Sequence, residues 1–174
     1  SDDSSDSTSH IVFSDDHGKS WELGGEAQSQ EKTNESQIVE LSDGRLLLNM
    51  RGESGNFRKV ARSSDKGLSW SKVTNDMTLI DSRCQASLLN FTDNTNYQKN
   101  RILFSNPAST KREKMTIRLS YDDGWTWPAE RQLYAGPSAY SCLTILSDMT
   151  IGCLYERGQQ GPLSYTHLTL PTNR

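Results

Sequence analysis

The segment Ser120-Tyr121-Asp122-Asp123-Gly124-Trp125-Thr126-Trp127 decides how this chain folds, because it has two counterparts. They are Ser14-Asp15-Asp16-His17-Gly18-Lys19-Ser20-Trp21 and Ser63-Ser64-Asp65-Lys66-Gly67-Leu68-Ser69-Trp70. All three share the pattern Ser-x-Asp-x-Gly-x-(Ser/Thr)-Trp, beginning 49 and then 57 residues apart at positions 14, 63 and 120. Recurrence at that interval is the mark of a repeat architecture. Each copy reads as a tight turn between two strands. The Asp carboxylate can accept backbone N–H bonds inside the turn, and Gly supplies a positive φ that a Cβ would resist. The hydroxyl four residues after the Asp can close the loop, and the Trp is expected to open the next strand as a large apolar anchor. None of these residues is a nucleophile, and the oxygen spacing lacks the terminal Glu of a calcium loop. The boxes are therefore framework.

Between the boxes the chain reads as short β-runs and turn residues, with no helical period. Gln37-Ile38-Val39-Glu40-Leu41, a Ser42-Asp43-Gly44 turn and Arg45-Leu46-Leu47-Leu48-Asn49-Met50-Arg51 form one hairpin. Ser141-Cys142-Leu143-Thr144-Ile145-Leu146, Ser147-Asp148-Met149 and Thr150-Ile151-Gly152-Cys153-Leu154-Tyr155-Glu156 superimpose on it without a gap, Leu41 on Leu146. A third copy, Ala86 to Phe91 and Arg101 to Ser105, carries a longer polar loop. Each unit is a hairpin, a connection and a box between further strands, as expected of propeller blades.

The superposition carries a chemical prediction. Glu35 stands six residues before Leu41 and Tyr140 six before Leu146; Gln85 takes that place in the middle unit, with Phe91 as reference. Ten residues after the reference, Arg51 matches Glu156. Equivalent positions in successive blades ring a common axis, so Glu35, Gln85 and Tyr140 should converge at one mouth, with Arg51 and Glu156 close by. Unpaired charges are costly in a core, whereas convergent polar groups at a mouth make a ligand site. The alternative reading has Glu35 and Arg51 as solvated strand-edge residues.

Composition bounds the function. The 174 residues are 33% hydrophobic and 24% charged, with net charge −3. That balance fits a soluble globular protein and lacks the basic footprint of nucleic-acid binding. No apolar run reaches membrane-spanning length. Cys84, Cys142 and Cys153 lack metal-ligand spacing and are expected as buried free thiols. Residues 1–9, an acidic Ser/Asp tract, read as disordered. The core unit then runs over 10–163. Residues 164–174 read as an adaptor-derived, non-native tail and are set aside from the fold.

The boxes, together with Thr33-Asn34-Glu35-Ser36-Gln37, Leu48-Asn49-Met50-Arg51, Phe104-Ser105-Asn106-Pro107, Gly136-Pro137-Ser138-Ala139-Tyr140-Ser141 and Leu154-Tyr155-Glu156-Arg157-Gly158, resemble the bacterial exo-α-sialidases from about His10 to Gly161. The resemblance implies an all-β, six-bladed β-propeller, of which about three to four blades are present. It also implies release of terminal sialic acid from glycoproteins, glycolipids and oligosaccharides with retention of configuration. Tyr140 matches the nucleophile and Glu35 the carboxylate beside it. Arg51 and Arg112 match two arginines of a triad that grips the sugar carboxylate, and Glu156 the acid that holds the remaining arginine. Gln85 is suggested by the ring alone. Arg118, the competitor to Arg112, alternates with Met115, Ile117 and Leu119, which favours a packing role.

These residue types suit that chemistry. The substrate is an anion, which would repel a carboxylate nucleophile but not a phenol; sialidases are the tyrosine-nucleophile exception among glycosidases. A phenol of pKa near 10 needs an adjacent base, and an arginine fork suits a carboxylate. No metal or cofactor is called for. Sialylated glycoconjugates as partners imply a secreted, cell-surface or periplasmic site of action, with a lysosomal or intracellular membrane-associated one as alternative. Two departures stand out. The first triad arginine, in an early Phe/Tyr-Arg-Ile-Pro strand, and the early general acid/base Asp have no counterpart, so the polypeptide alone is expected to be inactive. A non-catalytic box propeller that binds carbohydrate or protein is the competing reading, and another glycosidase on the same scaffold a third.

Overall fold

A computed structural model describes residues 7–93, 97–158 and 163–168. The chain is all-β, in three curled antiparallel sheets. Strands β1 (Ser9–Phe13) and β2 (Glu22–Ala27) form a pair; β3 (Thr33–Glu40), β4 (Leu46–Gly52), β5 (Phe57–Ser63) and β6 (Thr74–Ile80) form a four-stranded sheet in chain order. The remaining strands are β7 (Ser87–Thr92), β8 (Arg101–Pro107), β9 (Glu113–Ser120), β10 (Ala129–Ile145), β11 (Ile151–Arg157) and β12 (Leu163–Leu168). They make a six-stranded sheet, also in chain order. It is two meanders sharing one 17-residue strand: β10 pairs with β9 through Pro137, then with β11 from Ser138 onward. The repeated unit expected from the sequence, a hairpin followed by a strand, a box and another strand, is β3–β6 and again β7–β10.

The apolar run Leu46-Leu47-Leu48 makes sense in this arrangement. Successive side chains of a strand point to opposite faces, and both faces of β4 are covered. Leu47 joins Val39, Leu79, Ala86, Leu88, Ile102, Phe104 and Trp127 between the second and third sheets. Leu48 and Met50 join Ala27 and Ala61 toward the β1–β2 pair. A third cluster, with Leu103, Met115, Leu143 and Tyr155, fills the six-stranded sheet's other side.

Three boxes close by one hydrogen-bond pattern. In the second, the Asp65 carboxylate accepts the Ser69 amide at 2.9 Å and the Ser69 hydroxyl at 2.5 Å, while the Ser63 hydroxyl accepts the Gly67 amide at 2.8 Å. Asp16 and Asp122 repeat it with Ser20 and Thr126. The residue before each glycine is also left-handed: His17, Lys66 and Asp123 have φ near 60°. The boxes also tie sheet to sheet. Gly25 donates its amide to the Gly67 carbonyl at 2.7 Å, and Trp70 Nε1 donates to the Gly25 carbonyl at 3.0 Å. Asp123 of the third box accepts from the Ser42 hydroxyl and, at its carbonyl, from Arg62.

The structure corrects several expectations. The box tryptophans precede the strands rather than open them, and their burial differs: Trp127 is 7% exposed and Trp21 65%. Trp127 lies between two sheets, tilted against Phe104, whereas the β1–β2 pair has one sheet beside it. Cys84 and Cys153 are buried free thiols, but Cys142 is exposed, its side chain on the outer face of β10. Ser9, expected in the disordered tract, is a buried residue of β1, its hydroxyl bonded to Thr33 Oγ1 at 2.9 Å. Residues 163–168, set aside with the tail but for Leu163, pair as β12 with β11; 1–6 and 169–174 lie outside the described residues. Among the described residues no helix is long and apolar enough to cross a membrane.

Candidate functional site

Glu35 and Tyr140 sit at matching places in their strands, and each sits at an irregularity. The β3–β4 register shifts between Thr33 and Ser36, and the β10–β11 register between Ser138 and Ser141. A bulge re-aims the side chain it carries, and here two bulges turn one carboxylate and one phenol toward each other. Tyr140 Oη donates to Glu35 Oε1 at 2.6 Å across 105 positions of sequence. Arg51, on the partner strand β4, donates from Nη1 to the other Glu35 oxygen at 2.5 Å.

Arg112 approaches from the turn before β9. Its Cζ stands 5.7 Å from the centre of the Tyr140 ring, and its Nη2 donates to the Arg83 carbonyl at 3.0 Å. The Arg112 carbonyl in turn accepts the Ser138 amide at 2.9 Å, which fixes the turn to the bulged stretch of β10. Glu156 on β11 accepts the Tyr140 amide at 3.2 Å. Gln85 Oε1 accepts the Ser141 amide at 2.9 Å. The other five candidate residues thus gather around Tyr140. Glu156 and Arg51 are not an ion pair: Arg51 goes to Glu35, and Glu156 holds backbone. Arg118 lies away from the group, buried and paired with Glu130 at 3.0 Å.

The electrostatics follow from these contacts. Partial burial pushes the Glu35 carboxyl up, but the Tyr140 hydroxyl and the Arg51 guanidinium outweigh it, and Glu35 sits below the ordinary range. The same hydrogen bond from Tyr140 to Glu35, with some desolvation, raises the phenol above its ordinary value despite Arg51 and Arg112. Burial lowers Arg51, and its bond to Glu35 more than restores it. At neutral pH the site therefore holds a protonated phenol aimed at an ionised carboxylate, between two fixed cations. Such an arrangement can serve as a nucleophile beside a base, and the two guanidinium groups can receive an anion. Tyr140 is 37% exposed, open to an incoming molecule.

Residues not singled out in the sequence also support the site. Arg83 holds Arg112 through its carbonyl, with φ at 53°. The charged run Arg58-Lys59 within a strand covered on both faces was a legible signal that each cation must have a dedicated partner. Arg58 is fully buried and pairs with Asp81; Lys59 pairs with Glu31 at 2.6 Å.

Comparison with known proteins identifies the family. A family model described as BNR repeat-like domain matches residues 2–155. A sialidase of Micromonospora viridifaciens is 44% identical over 155 residues, covering 84% of this chain and 23% of that protein. A sialidase of Bacteroides fragilis is 39% identical over 152 residues, covering 84% of this chain and 28% of that protein. The chain thus spans about a quarter of the length of these relatives. Among solved structures, Hadza microbial sialidase Hz136 superimposes with a TM-score of 0.82 at 38% identity, covering 92% of this chain and 32% of that one. The intramolecular trans-sialidase of Ruminococcus gnavus follows with 0.77 at 26% identity, over 92% and 38%. The chain belongs to the BNR repeat-like domain family and is a homologue of the bacterial sialidases.

Proposed function

We propose that this chain is part of a six-bladed propeller exo-α-sialidase, to which it contributes the nucleophile, its base and two substrate-binding arginines. The observation that carries the reading is the 2.6 Å bond from Tyr140 Oη to Glu35 Oε1, flanked by Arg51 and Arg112. In the first step Tyr140 Oη attacks the anomeric carbon of a terminal sialic acid while its proton passes to Glu35. The bond to the aglycone breaks, and its oxygen takes a proton from an acid that this chain does not supply. Water then displaces the Tyr140 oxygen from the opposite side of the anomeric carbon, giving its proton to the conjugate base of that same acid. Glu35 returns the proton to Tyr140, and configuration at that carbon is retained overall.

Arg51 and Arg112 bind the sugar carboxylate by charge-assisted hydrogen bonds. In this role Arg51 exchanges part of its bond to Glu35 for the substrate. Glu156 and Gln85 hold the amides of Tyr140 and Ser141, which keeps the phenol on its line of attack. The third arginine and the acid are absent from the 174 residues, so the polypeptide by itself does not turn over sialosides. In a protein carrying this chain with those elements, the substrates are sialylated glycoproteins, glycolipids and oligosaccharides met outside the cell or at its surface. The stereochemistry tests the mechanism. Proton NMR of a sialoside digest should show the α-anomer of free sialic acid first, mutarotating later. First appearance of the β-anomer would exclude a tyrosyl intermediate.

A further inference from the structure

The most heavily buried charge among the described residues is outside the site and touches its foundations. Arg58 on β5 is fully buried; its Nε donates to Asn49 Oδ1 at 2.8 Å and its Nη1 to the Cys84 carbonyl at 2.9 Å. Nη1 also reaches Asp81 Oδ2 at 3.4 Å. Asp81, 2% exposed, accepts the Gly52 amide at 3.2 Å and the Cys84 amide at 3.3 Å. Burial lowers Arg58 to about 10, which leaves it charged at neutral pH. Arg58 Nη2 and Asn49 Nδ2 have no hydrogen-bond partner among the described residues. A hydrophobic pair would fill this space at lower electrostatic cost.

We infer that the Arg58–Asp81 pair positions the connector between β6 and β7, and through it the two substrate-binding arginines. Three contacts lead from the pair to the site. The connector's Arg83 carbonyl holds Arg112, and its Gln85 holds the Ser141 amide next to Tyr140. Asp81 holds the amide of Gly52, the residue after Arg51. One fork of donors thereby sets Arg51 and Arg112, which come from different sheets, relative to each other. Cys84, in the middle of the connector, is fully buried and burial raises its thiol to about 11.

The three thiols make the inference testable on the chain as it stands, because only the thiolate reacts with a disulfide reagent such as dithionitrobenzoate. Cys142 is exposed and reacts at once; Cys153 is buried in β11 and reports global opening. In Asp81→Asn, Cys84 should label on the order of tenfold faster while Cys153 is unchanged. Arg58→Lys keeps the charge but cannot reach Asn49, Asp81 and the Cys84 carbonyl together; it should give the same pattern and serves where Asp81→Asn does not fold. The NMR signal of Arg112 Nε–H should move in both variants, with that of Arg101 on β8 as a fixed control. Equal acceleration of Cys84 and Cys153, no acceleration, or an unmoved Arg112 signal would each overturn the inference. Its functional consequence rests on the sialidase reading: in a turnover-competent protein, Arg58→Lys should raise KM about ten- to hundredfold with a smaller change in kcat. Absence of sialoside turnover would remove that reading and leave the thiol result standing.

Discussion

The three box tryptophans occupy one position in sequence and three different environments, so truncating each to alanine separates framework from decoration. A tryptophan side chain presents about 200 Å². Trp127, 7% exposed, therefore removes nearly all of that from water, worth about 5 kcal/mol at ~25 cal/mol per Å². Cavity relaxation and a compact unfolded state bring the expectation to about 3–5 kcal/mol. Its Nε1 also donates to Asp76 Oδ2 at 2.9 Å, a hydrogen bond that Trp127→Phe removes as well. Trp21, 65% exposed, buries about a third as much, so Trp21→Ala should cost no more than about 2 kcal/mol. Trp70, half-buried with its Nε1 on the Gly25 carbonyl, should fall between them. At ~2–4 °C per kcal/mol for a chain of this size, Trp127→Ala should lower Tm by on the order of 10 °C. Urea titrations followed by far-UV circular dichroism give the free energies independently. Equal losses for Trp21→Ala and Trp127→Ala would refute the sheet-packing account.

Glu35→Gln removes the carboxylate that raises the Tyr140 phenol and leaves Arg51 and Arg112 in place. The Tyr140 ring carbon should then titrate at lower pH than in the parent by NMR; an upward or absent change would contradict the assigned contacts. Asp16 and Asp65 are lowered to about 2 by the Ser20 amide and the Ser69 hydroxyl, respectively, before their remaining bonds. A carboxylate depressed on folding contributes stability above its unfolded pKa near 4 and loses it as pH falls toward the folded value. Urea midpoints should therefore hold to about pH 4 and fall between about 4 and 2, with a shallower fall in Asp65→Asn. Gly25→Ala puts a Cβ 2.2 Å from the Leu68 carbonyl oxygen, which is backbone and cannot yield. It should cost more than Gly44→Ala, whose site is open and whose penalty is the left-handed φ of 82°, about 1 kcal/mol. Equal midpoints for the two variants would contradict the close approach of box and neighbouring sheet.

The boxes were legible because their chemistry is local: each hydrogen bond spans two to four residues. The convergence of Glu35 and Tyr140 was legible for a different reason. Aligning Leu41 with Leu146 carries the same register shift along in both hairpins, so Glu35 and Tyr140 stand at the same irregularity. Gln85 emerged from that register too, although its bond is to the Ser141 backbone. The fate of the tryptophans was hidden, since burial depends on which sheet lies alongside and the octapeptide is silent on that. Cys142 was misplaced for the same reason: strand β10 has one face outward there. The Arg58–Asp81 pair joins strands through a connector with no motif, and the adjacent cations Arg58-Lys59 are the one signal that could have found it.

The central claim is that Tyr140 is the nucleophile and Glu35 its base. It is tested most directly by Tyr140→Phe in a turnover-competent protein carrying this chain, assayed with a fluorogenic sialoside and by calorimetric titration with sialic acid. The variant keeps the ring beside Arg112 and removes only the attacking oxygen, so turnover should be lost while affinity for sialic acid stays within a few-fold. A Tyr140→Phe protein that hydrolyses the sialoside at the parent's rate would contradict the account.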